Sequence, residues 1–295
     1  MANFLVIGSV TKDRIVIGGP SGEMEFSAAK SYENSGGKSY FTGVTLANLG
    51  NNVRIITKYA QKDESLFQGL SNPHIDSHVS YSNGTTFCES TYSDEKMGQV
   101  SRRSKSDGFV FEENLVRQEM GKEKFDAVFF GAQTYYEIPL KVLQSFKGKV
   151  LTAADLEHFL HYTETGREFT ASEQQIAEIL SNLDIVQLSE KETVYFKNTG
   201  KPEETIKTIA KYGPKIIILT MGERGCLIFD SISNQTFQIP AAKAEQVVDT
   251  TGAGDTFMGA FLSKYVETKS LQLAAQFASG IVAKKLAYKG AYRGN

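Results

Sequence analysis

The chain has 295 residues, 41% of them hydrophobic, and sets 32 Lys and Arg against 34 Asp and Glu for a formal net charge of −2. That length suits one large domain, the mixed charge offers no basic footprint for a nucleic acid, and no apolar run approaches the roughly eighteen residues that span a bilayer. Cys88 and Cys226 lie far apart with no metal-ligand pattern around them, which fits a reducing compartment better than a disulfide framework.

Residues 4–7 form a continuous apolar run closed by Gly8, the pattern of a strand buried on both faces. The start is apolar but short and lacks a basic n-region. It therefore reads as a first strand rather than a signal peptide, and a cytoplasmic protein is expected. Asp13 falls just past that strand, where open α/β sheets gather ligand-binding groups. On residues alone, a solvated turn aspartate explains it equally well.

Residues 15–17 and 24–26 flank a turn of Gly18, Gly19, Pro20, Ser21 and Gly22, which reads as a hairpin leaving the main sheet. A second turn-punctuated β stretch follows at about 78–103. Two excursions between α/β units, at about 14–34 and 76–103, predict a small β lid. A surface meander is the competing reading for either piece alone.

Between them, Gly37-Lys38-Ser39 looks like the end of a P-loop, but that motif needs a glycine where Tyr32 stands and a buried strand just before it. The P-loop is rejected. Residues 53–59 and 127–130 are further core strands, with a helix at about 112–120 between them, and Glu137-Ile138-Pro139 follows the second. Residues 150–153 form a strand ending at Asp155, 172–180 a helix with Ser172 as its N-cap, and 185–188 a strand. Ser189 and Glu192 then stand three apart, the spacing of a surface capping box. Residues 215–219 are a buried strand leading into Thr220-Met221-Gly222-Glu223-Arg224-Gly225 and a hairpin-like return at 226–230. One glycine suffices for such a turn; two modestly favour a ligand. His158 and His161 are three apart but carry no zinc-protease pattern, and packing or a helix surface is their default role.

The most informative stretch runs from Val247 to Phe257. Two β-branched residues lead through Asp249, Thr250 and Thr251 into Gly252-Ala253-Gly254-Asp255. Apolar residues then recur at Phe257, Met258, Phe261, Leu262, Tyr265 and Val266, one face of a helix that continues in period through 271–286. The glycines thus sit at a helix N-terminus, where unpaired N–H groups and the dipole favour an anion. An N-terminal aspartate stabilising its own helix would explain Asp255, but not two glycines and a second acid in one turn. The third glycine of a dinucleotide fingerprint is replaced by Phe257, which counts against that motif.

The run Asp-Thr-Thr-Gly-Ala-Gly-Asp-Thr-Phe closely resembles the signature of the ribokinase-like (PfkB) kinases, and weaker matches follow in the same order along nearly the whole chain. The resemblance implies a doubly wound, mostly parallel α/β sheet with helices on both faces and a small β lid, often used for dimerisation. It implies transfer of the ATP γ-phosphoryl group to a hydroxyl of a sugar, polyol or related small molecule. Asp255 would be the general base, and Gly252, Ala253 and Gly254 the anion hole. Asp13, Gly37, Lys38 and Glu137 match substrate-binding positions. Ser189, Thr220, Gly222, Gly225 and Gly290 match ATP-binding ones. Glu192 would organise Mg²⁺, through water, and Asp249 would help a monovalent-cation site for K⁺. Two positions depart from the pattern. Phe41 stands where an Asn usually binds substrate hydroxyls, and Ser189 replaces the Asn of an Asn-x-x-Glu element. If Phe41 faces the site, a substrate with an apolar or planar group is expected and free ribose should be poor. A nucleoside or vitamin-precursor kinase, or a catalytically silent binding protein, remains the alternative.

Overall fold

Strands that are apolar at every position must be covered on both faces, and the computed structural model of the chain, which describes residues 1–17, 30–92, 99–164, 167–196 and 201–294, builds such a sheet. Nine strands lie in the order Gln235–Ile239, Cys226–Asp230, Ile216–Thr220, Ile185–Ser189, Leu151–Asp155, Ala127–Phe130, Asn3–Ile7, Asn52–Tyr59 and Ile75–Tyr81. Seven run parallel, and the first two add an antiparallel edge. This is the doubly wound sheet that the resemblance implies.

Alternate residues of each strand feed two cores. Phe4, Val6, Phe129 and Ile218 pack with Phe41, Phe261 and Ala278 on one face, beneath the helices Lys38–Asn48, Ala253–Thr268 and Leu271–Lys285. Leu5, Ile7, Phe130 and Leu219 face the other way, towards Glu113–Met120, Leu140–Phe146, Glu173–Leu180 and Pro202–Ala210. Ser172 caps the third of these as its sequence predicts: its side chain accepts from Gln175 N–H, and the Gln175 side chain accepts from Ser172 N–H.

A second sheet stands apart, in the order Arg167–Thr170, His161–Glu164, Gln99–Lys105, Thr86–Tyr92, Thr11–Ile17 and Lys30–Gly36. It differs from the expected boundaries in two ways. Ile75–Tyr81 pairs in parallel with Asn52–Tyr59 and belongs to the main sheet, so the second excursion begins at Thr86. A third excursion, the hairpin His161–Glu164 with Arg167–Thr170, joins it beside Gln99–Lys105. The strand expected at 24–26 lies outside the described residues; the partner of Thr11–Ile17 is Lys30–Gly36.

Candidate active site

Parallel strands leave the C-terminal ends of a sheet as a natural crevice. Asp155, Ser189 and Thr220 are each the last residue of such a strand, and all three line a cavity of about 650 Å³. Asp13 and Ser90 from the second sheet, Gly37, Lys38 and Phe41 from the start of a helix, and the turn Thr250 to Asp255 complete its wall.

The turn has the geometry of a helix start. Gly252 is the N-cap of Ala253–Thr268, with φ 72° and ψ 13°, a left-handed conformation that suits glycine. A Cβ there would also sit 2.5 Å from the Phe41 ring. Gly254 needs neither exemption: its φ is not positive, and a Cβ would meet only Gln187 Nε2 at 3.4 Å. Asp255, in the first helical turn, is half-buried, and its carbonyl accepts the Thr42 hydroxyl at 3.2 Å. Ala253 N–H bonds to the Thr250 carbonyl at 3.1 Å, so it closes the turn instead of serving as a donor of the hole.

Three groups bear on this site that sequence reasoning did not single out. Gln187 is 1% exposed; its amide nitrogen donates to the Gly254 carbonyl at 2.9 Å and to Asp155 Oδ2 at 3.2 Å. It ties the main sheet to the turn. Asp155 and Glu157 hold the Lys38 ammonium at 2.7 and 2.6 Å, with Lys38 itself 4% exposed. The acid ending a buried strand and the glutamine inside one were the available signals, since polar groups in such places need a specific partner.

Asp13 is 5% exposed, and the Thr11 hydroxyl donates to its Oδ1. Gly36 leaves room for that carboxylate, because a Cβ there would collide with it. Glu192 and Ser189 form the capping box: Glu192 accepts from the Ser189 backbone N–H and, at 2.8 Å, from its hydroxyl. Burial, then the Glu157 and Asp155 charges, push the Glu192 carboxyl up to about 7. Thr220 and Gly222 line the same end of the cavity.

Of the other expected site residues, Phe41 touches the cavity only as a buried part of its wall, and Glu137, Gly225 and Gly290 do not line it. Phe41 is 2% exposed, and its ring packs beneath Gly252 and edge-on to Tyr40, so it offers no open platform. The expectation of a poor ribose substrate then rests only on the missing Asn amide. Glu137 is buried away from the cavity, accepting from the Ser9 and Gln133 N–H groups, and burial raises its pKa. It organises backbone rather than facing a substrate. Gly225 is demanded by the Ile239 carbonyl, which a Cβ would strike. Gly290 N–H donates to Asp249 Oδ2 at 3.2 Å, behind the turn. Among the described residues, no three His, Cys, Asp or Glu side chains are arranged to hold a metal ion.

The whole sequence, residues 1–295, matches the pfkB family of carbohydrate kinases. The chain belongs to this family. The chain is also similar to single proteins of known activity. A cytidine kinase of Thermococcus kodakarensis is 29% identical over 163 residues, 53% of this chain and 56% of that protein. The matched stretch thus spans about half the length of this curated relative. A pyrophosphate-dependent kinase in the ribokinase family, complexed with a pyrophosphate analog and myo-inositol, superposes with TM-score 0.82 at 24% identity, covering 98% of this chain and 97% of that one. Arabidopsis thaliana ribokinase, complexed with ribose and ATP, gives TM-score 0.71 at 21% identity, covering 99% and 94%. These likenesses establish the ribokinase fold for this pfkB-family chain.

Proposed function

We propose that this protein transfers a phosphoryl group from ATP to a hydroxyl of a sugar, polyol or related small molecule. The observation that carries the reading is convergence: Asp255 and its glycine turn line the same cavity as Asp13, Lys38, Ser189, Glu192 and Gly222. Asp13 and Lys38 line the acceptor end, and the Ser189–Gly222 end takes the donor. Asp255 removes the hydroxyl proton as the oxygen attacks phosphorus, and the first-turn N–H groups meet the charge on the transferring group. Because the phosphoryl group is loosely bonded in such transition states, positioning and charge do most of the work.

Mg²⁺ fits this donor end. It binds through one or two carboxylates plus substrate phosphates, and here Glu192 is crowded by Glu157 and Asp155 in a way that a divalent cation relieves. When bound, it would neutralise phosphate charge. Potassium at Asp249 does not fit, because the Lys285 ammonium already sits against that residue.

A coupled assay over sugars, polyols including myo-inositol, and nucleosides including cytidine tests the reading, run with ATP and separately with pyrophosphate. Turnover with a sugar or polyol and ATP is expected. Turnover only with cytidine would favour a nucleoside kinase, and turnover only with pyrophosphate would change the donor, an outcome motivated by the superposition on a pyrophosphate-dependent enzyme. Binding of sugar and nucleotide with no turnover would leave a silent binding protein. We further propose that the second sheet acts as the lid and pairs two copies; light scattering on the eluted protein, giving a monomer mass at all concentrations, would exclude the pairing. No helix among the described residues is long and apolar enough to cross a membrane. Cys88 and Cys226 are both buried and no disulfide joins them, which supports a reducing, cytoplasmic location.

A further inference from the structure

The glycine turn is held from behind by a buried charge pair. Asp249 is 0% exposed; its Oδ1 accepts Thr251 N–H at 2.9 Å and its Oδ2 accepts Gly290 N–H at 3.2 Å. The Lys285 side chain, also 0% exposed, donates to the Asp249 backbone carbonyl at 2.8 Å, with its ammonium 3.5 Å from Oδ2. Val248 and Asp249 N–H groups both reach the Leu286 carbonyl, at 2.7 and 3.3 Å. The residues leading into the turn and those closing the last helix are therefore stitched together through one carboxylate and one ammonium.

Neither charge is stable alone in such a place, since an unpaired buried ion is strongly unfavourable. The position of Lys285 is also informative. It follows Ala274, Ala278 and Ile281 on the buried stripe of its helix, where the period calls for an apolar side chain. A carbonyl oxygen and a carboxylate oxygen, drawn together beside an anion-binding turn, are a donor set suited to a small monovalent cation. Here that cation is covalently attached.

We propose that Lys285 is a tethered substitute for an exchangeable monovalent ion: a positioning residue that acts through Asp249 to hold the Gly252–Gly254 turn, making the protein independent of K⁺. Its catalytic consequence rests on the kinase reading above, but its effect on the fold does not. Three measurements test it. Wild-type thermal midpoint and, with a substrate in hand, kcat should be the same in potassium, sodium and choline chloride at equal ionic strength. Lys285→Ala opens space for a free ion. In choline it should lose at least tenfold in kcat, and potassium, ammonium or methylammonium should restore much of that loss and raise the variant's midpoint saturably. Lys285→Met fills the space without charge and should show the loss without rescue.

Saturable activation or stabilisation of the wild type by potassium over sodium and choline would overturn the proposal. So would a Lys285→Ala protein that is fully active in choline, or impaired but indifferent to every small cation. If neither variant folds, the cation dependence of the wild-type midpoint decides, and it does so whether or not a kinase substrate has been found.

Discussion

Gly252 is where the left-handed turn and the core make incompatible demands on any side chain, so Gly252→Ala is the most informative single substitution. Its φ of 72° would place alanine in the left-handed region, at about 1–2 kcal/mol. The new Cβ would lie 2.5, 2.6 and 2.7 Å from Cγ, Cδ1 and Cδ2 of Phe41. That ring cannot swing into solvent, being 2% exposed and packed against Tyr40. Overpacking of this kind costs about 1–3 kcal/mol. The sum, about 2–5 kcal/mol, is a large share of the 5–15 kcal/mol by which domains are usually stable. Urea denaturation with a check of constant m measures it, and adding Phe41→Ala to both backgrounds separates the parts. Alanine lacks the Cγ and ring carbons that the new Cβ would strike, so it should recover the steric share but leave the backbone share, giving a coupling of about 1–2 kcal/mol between contacting residues. Gly254→Ala is the internal control, since its Cβ would meet only Gln187 Nε2 at 3.4 Å. Its stability should change by less than about 1 kcal/mol, so activity lost there is chemical. A Gly252→Ala protein within about 0.5 kcal/mol of wild type, the scatter of innocuous surface changes, would refute this account of the turn.

Asp255→Asn should keep the circular dichroism spectrum and nucleotide binding while kcat falls by ~10²-fold or more; turnover within a few-fold of wild type would remove Asp255 from the mechanism. The Glu192 carboxyl, raised from 4.5 to about 7, keeps its proton in the folded state where the unfolded chain has lost it. Metal-free stability should therefore fall as pH rises from 4.5 through about 7. Glu192→Gln should be more stable than wild type at pH 8 but not at pH 4.5, and should lose metal-dependent turnover; equal urea midpoint differences at both pH values would contradict the cause. Burial pushes the Cys226 thiol up to about 12, so a thiol reagent at pH 8 should modify it only as fast as the protein opens. Rapid labelling of the native protein at Cys226 would be the contrary result.

What the sequence revealed followed from local rules. Strands such as Asn3–Ile7 were legible because they are apolar without period, and the helix Ala253–Thr268 because its apolar face begins immediately after a glycine turn. Ile75–Tyr81 misled because it lies at the sheet edge, half-exposed along its length, and so resembles a strand of the exposed second sheet. His161–Glu164 and Arg167–Thr170 have four residues each, too few for a period to show. Phe41 could not be placed from its neighbours, because its environment is a turn more than two hundred residues away in sequence. Lys285 carried a readable signal, a charge on an apolar stripe, but its partner Asp249 is a tertiary fact.

The charges around the cavity constrain how a phosphoryl donor can enter. Among the described residues, Asp13, Asp155, Glu157, Glu190, Glu192 and Asp255 line it with Lys38 and Lys191, and Lys38 is already committed to two of those carboxylates. Glu190 in turn pairs with Arg224. The glycine turn supplies a helix N-terminus worth roughly half a positive charge, too little to offset a polyphosphate beside so many carboxylates. A bare triphosphate or pyrophosphate would meet repulsion from these carboxylates, whose crowding the raised pKa of Glu192 registers. The same wall would become favourable if the donor brought divalent cations, because their positive charge would offset that of the carboxylates. If the proposed kinase reading holds, the acidic wall would favour the metal complex of the donor over the free anion. Lys285, the buried ammonium behind the turn, is paired with Asp249 and does not line the cavity, so it cannot offset the donor's charge directly.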